Sequence, residues 1–422
     1  MSDILEKLGP VHLPLLGNSV AVGIFSLLHI ALASLAVAFV VIAPVFESME
    51  RENRFHADVA LGLTRFTLIT FTVSTVLAVI MLELFVGLFP LTNSWVFNRF
   101  RHPIYFGVAA FFLLLFTLYP YYHYWEPIRR RSRSLHLTLG FLAAFFALIW
   151  VAILDGIGSY MLTPGGRGLF NPTWIPLMIH RFFGNFVFGG FAIAAYAAWM
   201  LGRKKGTPDE PYYLHLLKTG FLIGLGALLI QPFTGLFYAT QIHQADPAAY
   251  QQTIQGRYQG WVYLQFALIA LLFVGSHFLL RTSRSTRKGT FLSEGIVLLI
   301  ALLMVVFVEL PMVRRLFTFA LVALTFFYLY SGWRGWRAAG GEQLNRTGVR
   351  RLTMTLGIVA LFTYWTMGTI RETARRPDTV RGMISLQDES QTPKFFTRGE
   401  TPASTGTPPQ KGGTSENPEP RG

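Results

Sequence analysis

Residues 18–43 read NSVAVGIFSLLHIALASLAVAFVVIA, with no charged side chain and one histidine, His29. A helix needs about 20 mostly apolar residues to cross the roughly 30 Å hydrocarbon layer of a bilayer, so this stretch sets the class of the whole chain. Nine further runs follow, at about 62–89, 104–123, 137–155, 176–201, 219–239, 261–280, 292–310, 316–333 and 352–370. Only Pro311–Arg315 separates the eighth from the ninth. The expected fold is therefore all-α: a polytopic membrane helix bundle of about ten transmembrane helices, or nine if the eighth and ninth form one broken element. The first run is expected to be a retained span. It is too long for a signal-peptide core, its flank is not basic, and no small-residue cleavage site ends it.

Composition agrees. The 422 residues are 52% hydrophobic and 15% aromatic but only 14% charged, against about 25% charged in soluble domains. Soluble enzymes, disordered chains and disulfide scaffolds are excluded. With no cysteine, the chain can hold no iron–sulfur cluster, thiolate zinc site or covalently attached c-type haem.

The net charge of +14 has an address. Loops after the odd-numbered runs carry eighteen lysines and arginines, those on the other side seven. The positive-inside rule then predicts an outside N-terminus and cytoplasmic odd loops, and the excess charge reports topology rather than a nucleic-acid partner. Residues 1–376 form the membrane domain. Residues 377–422, rich in Pro, Gly, Thr and Ser, are expected to be a disordered tail on the periplasmic side of a bacterial-type inner membrane.

Ionisable residues inside spans are costly and mark function by default. His29 has small residues around it, Ser26, Ala33 and Ala36, which leaves room for a flat macrocycle bound through the imidazole. The same pattern fits a buried histidine bonded to a neighbouring helix in a tightly packed pair. His180, in WIPLMIHRFFGNFVFGG, is followed by Gly184, Gly189 and Gly190. Close approach of a cofactor and close approach of a helix both fit. Glu83, Asp155 and Glu309 fall at similar depth near the outer ends of their runs and are candidates for a proton or charge path; end-of-helix pairing is the alternative. Arg371, Glu372, Arg375 and Arg376 follow the last run. No histidine pair has HExxH-type metal spacing.

Five segments in order resemble subunit I of cytochrome bd-type quinol oxidases: the first helix with His29, LDGIGSYMLTPGG (154–166), NPTWIPLMIHRFFGNFVFGGF (171–191), LIQPFTG (229–235) and ETARRPD (372–378). The last falls in register with the family's ExGRQPW signature. The resemblance implies that His29 ligates a haem of the oxygen-reducing pair and His180 a low-spin haem b. Glu372 then takes the place of the haem-ligating glutamate and Arg375 that of its arginine. It implies one to three haems b, with haem d a further candidate, and a catalytic role for His29 and Glu372. It also places the haems towards the outer face, in agreement with the charge count.

The chain departs from that pattern in several places. The third-helix region PIYFGVAAFFLLLFTLYPYYHYWEP has no acid before Glu126, where the oxidases carry two glutamates. The quinol-binding loop shrinks to about 240–260, and an extra helix pair takes its position. The methionine opposite the low-spin histidine falls near Phe317, with Met312 the nearby methionine. The expected function is a membrane haem-binding electron-transfer subunit. It would pass electrons between a quinone pool or a periplasmic cytochrome and partner membrane subunits of a respiratory complex. A working quinol:oxygen oxidoreductase is the first alternative, a haem-free scaffold or transporter the second.

Overall fold

The structure, a computed structural model, describes residues 13, 15, 17–50, 55–256, 258–282, 290–376 and 378–385. The tail from 386 on, and the basic loop residues Arg51, Arg54, Arg257, Arg284, Arg287 and Lys288, lie outside the described residues.

Among the described residues, nine helices are long and apolar enough to cross a membrane. They are α1 (Asn18–Ser48), α2 (His56–Leu88), α4 (Arg101–His123), α6 (Arg133–Leu162), α7 (Trp174–Arg203), α8 (Glu210–Ala245), α10 (Gly260–Arg281), α12 (Pro311–Ala338) and α14 (Thr347–Ala374). A shorter apolar helix, α11 (Thr290–Val306), precedes α12. The eighth and ninth runs are thus two helices. Pro311 lacks an N–H and pushes Leu310 into extended backbone, so α11 cannot continue into α12. Helices of 30 to 36 residues such as α6, α7 and α8 reach about 45–54 Å at 1.5 Å per residue, so their ends stand in the headgroup layer or in water.

Short helices α3 (Pro90–Arg99), α5 (Trp125–Arg131), α9 (Pro247–Gln255) and α13 (Gly341–Leu344) join the long ones at the bundle ends. Polar caps set some of these boundaries. Ser132 Oγ accepts from Leu135 N at 3.2 Å to open α6, and Asp246 Oδ1 accepts from Ala249 N at 2.8 Å to open α9. The segment expected to be disordered from 377 begins instead with a hairpin, β1 (Asp378–Val380) antiparallel to β2 (Ile384–Ser385). Val380 and Ile384 are buried with Trp95, Phe100 and Tyr160, so apolar burial fixes what composition alone reads as loose chain.

α7 is the central helix, and its small residues explain why. A Cβ on Gly189 would stand 2.6 Å from Ala38 Cβ of α1, one on Gly190 would stand 2.5 Å from Gly224 Cα of α8, and one on Gly357 of α14 would stand 2.6 Å from Ala195 Cβ. In lipid, where apolar burial does not separate helix from solvent, such close backbone approach drives association. Gly190→Ala is expected to cost about 1–3 kcal/mol by overpacking a seam whose neighbour is backbone and cannot rotate away. Thermal unfolding of the purified protein checks this, with Gly226→Ala, which meets nothing within 4 Å, as the control.

At the end of the bundle that carries the odd-numbered loops, Glu47, Tyr121 and His136 are buried together. Tyr121 Oη donates to Glu47 Oε2 at 2.8 Å, His136 Nδ1 meets Glu47 Oε1 at 2.7 Å, and His136 Nε2 donates to the Tyr121 carbonyl at 3.0 Å. Both imidazole nitrogens are occupied, and α1, α4 and α6 are pinned at one point.

Candidate functional site

The site grows from the start of α7. Trp174 Nε1 donates to the Ala152 carbonyl at 2.7 Å, fixing the end of α7 against α6. Six residues on, His180 points at α8, its Nδ1 lying 3.1 Å from Thr234 Oγ1. The Thr234 hydroxyl in turn lies 3.1 Å from the Gln231 carbonyl and 2.9 Å from Gln231 Oε1. A hydroxyl has one proton. Spent on the Gln231 oxygens, it leaves Thr234 Oγ1 as acceptor, so His180 Nδ1 carries the hydrogen and Nε2 keeps its lone pair. That is the tautomer a metal ligand needs, and the partner that fixes it comes from the protein. Gly235 completes the arrangement, because a Cβ there would stand 3.1 Å from His180 Cε1.

His180 lines a cavity of ≈ 360 Å³ bordered by α7, α8, α9, α10, α12 and α14, with Ile30 of α1 and Leu162 of α6 at its edge. Most of its wall is aliphatic or aromatic, but four arginines, Arg181, Arg314, Arg315 and Arg371, border it, and no described aspartate or glutamate does. Arg181 pairs with Asp155, which is fully buried behind it. Arg314 is 8% exposed, donates to the Val308 carbonyl at 2.7 Å and lies over the Phe266 ring at 4.7 Å. Arg314, Arg315 and Arg371 have no carboxylate partner among the described residues. Gly158 makes room for Arg371, whose Cζ would lie 3.1 Å from a Cβ at that position. Guanidiniums desolvated without counter-charge are costly. An apolar slot edged by them suits a ligand with an apolar body and anionic ends.

The other expected residues occupy separate places. His29 is half-buried on α1 and reaches α2, its Nδ1 lying 2.8 Å from the Ser74 carbonyl and 3.0 Å from Ser74 Oγ, with Nε2 left free of both. It does not line the cavity. Glu372 and Arg375 form an ion pair at the end of α14, the Glu372 side chain 44% exposed, with Arg375 Nη1 3.3 Å from Met161 Sδ. α1 and α14 meet where Trp365 Nε1 donates to the Leu27 carbonyl at 3.1 Å and Gly368 faces Leu27. His29 and Glu372 therefore flank one seam, a few residues to either side of that contact.

Met312 is 77% exposed on the outer surface of α12 and does not border the cavity. Met367 of α14 does. Glu83, Asp155 and Glu309 have different surroundings, and no hydrogen bond among the described residues joins them to one another. Asp155 is held by Arg181, Glu309 is exposed and accepts from Tyr263 Oη at 2.8 Å, and Glu83 is exposed with no partner among the described residues. Among the described residues, no three His, Asp or Glu side chains converge as a metal cage.

Of the cavity arginines only Arg371 was named from the sequence, in the basic cluster after the last run; Arg181, Arg314, Arg315, Thr234, Gln231 and Met367 were not. Arg181 sits beside His180, and LIQPFTG supplies Gln231 and Thr234, so those signals were present. Arg314 and Arg315 read as a loop, and Arg371 as the end of a span.

The profile of the family described as cytochrome bd terminal oxidase subunit I matches residues 20–397. The fold is similar to the bd oxidase from Geobacillus thermodenitrificans at 14% identity, with a TM-score of 0.53, over 85% of this chain and 96% of that one. No curated protein sequence matches the chain.

Proposed function

Because the chain belongs to the cytochrome bd terminal oxidase subunit I family, we propose that it is a haem-binding electron-transfer subunit of a respiratory membrane complex. Its partners would be a quinone pool or a redox protein on the outer side and other membrane subunits. One observation carries this reading: His180, with Nδ1 committed to Thr234, faces a cavity bordered by four arginines and by no carboxylate of the described residues. The residues fit a haem b. Its apolar macrocycle suits the aliphatic wall, and its two propionates suit Arg371 with Arg315 or Arg314.

When bound, the haem iron supplies one-electron redox chemistry. The chain's own residues do the rest. Thr234 and Gln231 hold the imidazole in one orientation and tautomer. The arginines would neutralise the propionates, and Val187, Phe188 and Ile269 supply part of the apolar wall the macrocycle would lie against. Electron transfer is placed ahead of oxygen reduction because α4, the third spanning helix, has no carboxylate anywhere in Arg101–His123, so that helix offers no carboxylate to carry protons. The oxidase alternative rests on the seam between His29 and Glu372. Carbon monoxide binding that disappears in His29→Ala would support it.

The reduced-minus-oxidised spectrum of the purified protein tests the reading: a b-type band is expected, and its absence overturns it. Met367 is the thioether that borders the cavity, whereas Met312 is exposed. Met367→Leu is therefore expected to shift the low-spin band and Met312→Leu to leave it in place.

A further inference from the structure

At the end of the bundle where α1 begins and α14 finishes, three elements form a cap. They are α3, the loop 163–173 between α6 and α7, and the β1–β2 hairpin. Trp95, Phe100 and Tyr160 pack on Val380 and Ile384 beneath it. The loop is anchored from inside, Asn171 Nδ2 donating to the Gly156 carbonyl at 3.0 Å and to Ser159 Oγ at 2.9 Å, and it turns at Gly166 (φ 61) and Gly168 (φ 72).

Arg99 of α3 and Arg167 of the loop are exposed on this cap, Arg101 is exposed where α4 begins beside it, and Phe97 and Phe170 are exposed two and three residues from Arg99 and Arg167 in sequence. Arg99 lies over the Tyr160 ring at 5.6 Å, and a Cβ on Gly168 would be 3.8 Å from its Nη2, so the arginines of α3 and of the loop share one patch. None has a carboxylate partner among the described residues, while Asp155, Asp246 and Glu372 of the same end are each committed to another arginine.

This is the side that the charge bias makes poor in basic residues, so arginines kept here without partners run against the topological preference. Arginine and aromatic residues are also the types enriched in protein interfaces. The patch lies near the candidate site: two residues after Tyr160, Leu162 borders the cavity, and Met161 touches Arg375 at the end of α14.

We propose that this cap is the docking surface for an acidic soluble electron-carrier protein. The proposal rests on the haem reading above. The carrier docks through carboxylates on Arg99, Arg101 and Arg167 and passes one electron to the bound haem. The carrier is oxidised, the haem iron is reduced, and no atom is transferred. A rigid, anchored platform of opposite charge raises the encounter rate by steering and makes it fall with salt.

The test uses the full-length protein in nanodiscs of zwitterionic phosphatidylcholine, with a reduced acidic c-type cytochrome and a reduced basic one as probes. Haem reduction by the acidic probe is expected to be faster at low ionic strength and to slow steeply with salt. The triple variant R99Q/R101Q/R167Q should lower its second-order rate about 10-fold or more. Reduction by dithionite and the haem spectrum should stay unchanged. Equal rates for variant and parent, or a rate independent of salt, overturn the proposal. So does an effect that appears only with anionic lipid in the disc, which makes the patch a lipid-headgroup site. If the arginines are instead covered by the chain's own Asp388–Glu389 segment, the substitutions leave the acidic probe's rate unchanged, again overturning it. A protein without haem would sink the function proposed above but not this surface, because salt-sensitive binding of the acidic cytochrome to the immobilised protein, lost in the triple variant, reports docking alone.

Discussion

His180→Ala is expected to abolish the low-spin haem band of the purified protein while leaving the polypeptide folded. Alanine removes the lone pair at Nε2, and nothing else near Thr234 replaces it, since the ring's neighbours are Gly235, Tyr238 and the Thr234 hydroxyl. The side chain is half-buried and borders a cavity, so its loss enlarges an existing space rather than opening a new one in packed core. A graded companion separates ligation from packing. Thr234→Val keeps the shape beside the imidazole but removes the acceptor at Nδ1. Outer-shell partners of this kind are worth roughly 10–100-fold in affinity, so Thr234→Val should bind haem more weakly with its band retained at saturating haem. His29→Ala, on another helix pair, should leave the low-spin band intact. An unchanged band in His180→Ala would remove His180 from the ligand set and with it the main support for the proposed function.

The spans were legible in the sequence because hydropathy over about 20 residues is a local property that the bilayer reads directly. The helices extend past the apolar runs, as in Glu210–Ala245 against 219–239, because helical hydrogen bonding continues into the headgroup layer. What escaped was shorter or tertiary. α3, α5 and α9 are 7 to 10 residues long and too polar or too brief for a window of span length. The β1–β2 hairpin depends on two side chains, Val380 and Ile384, finding Tyr160 and Trp95. Within the candidate site, the cavity position of His180 was foreshadowed by the glycines that follow it on its helix. The arginine border was not. Arg181 looks like the polar neighbour of a histidine, Arg314 and Arg315 follow a proline, and Arg371 starts an arginine-rich terminus. Only the packing of α7, α12 and α14 around one cavity brings these four together. For Met312 the mirror reason holds: sequence proximity to the expected register could not say that it lies on the exposed face of α12, away from the cavity.

Asp155→Ala should be the most destabilising single substitution around the cavity, by about 3–5 kcal/mol, because it leaves the Arg181 guanidinium buried without its counter-charge. The Asp155 side chain is 0% exposed and that of Arg181 16%, so water offers little compensation. The pair itself need not be stabilising. Replacing both residues, as in Asp155→Leu with Arg181→Leu, removes both desolvation costs and should recover most of the loss, whereas Asp155→Ala alone should not. Thermal unfolding of the three proteins in the same detergent gives the order: parent and double variant close together, single variant well below. The cavity adds a further condition. Arg181 faces the space in which an anionic ligand is proposed to sit, so a bound carboxylate can replace part of what Asp155 supplied. The penalty in Asp155→Ala should therefore be larger in protein stripped of haem than in protein saturated with it, since a ligand that binds only the folded state stabilises it by mass action. A penalty that is the same in both preparations would mean that the ligand's anionic groups lie beyond the reach of Arg181. The propionates would then belong to Arg371 with Arg314 or Arg315, leaving Arg181 as the inward partner of Asp155 alone.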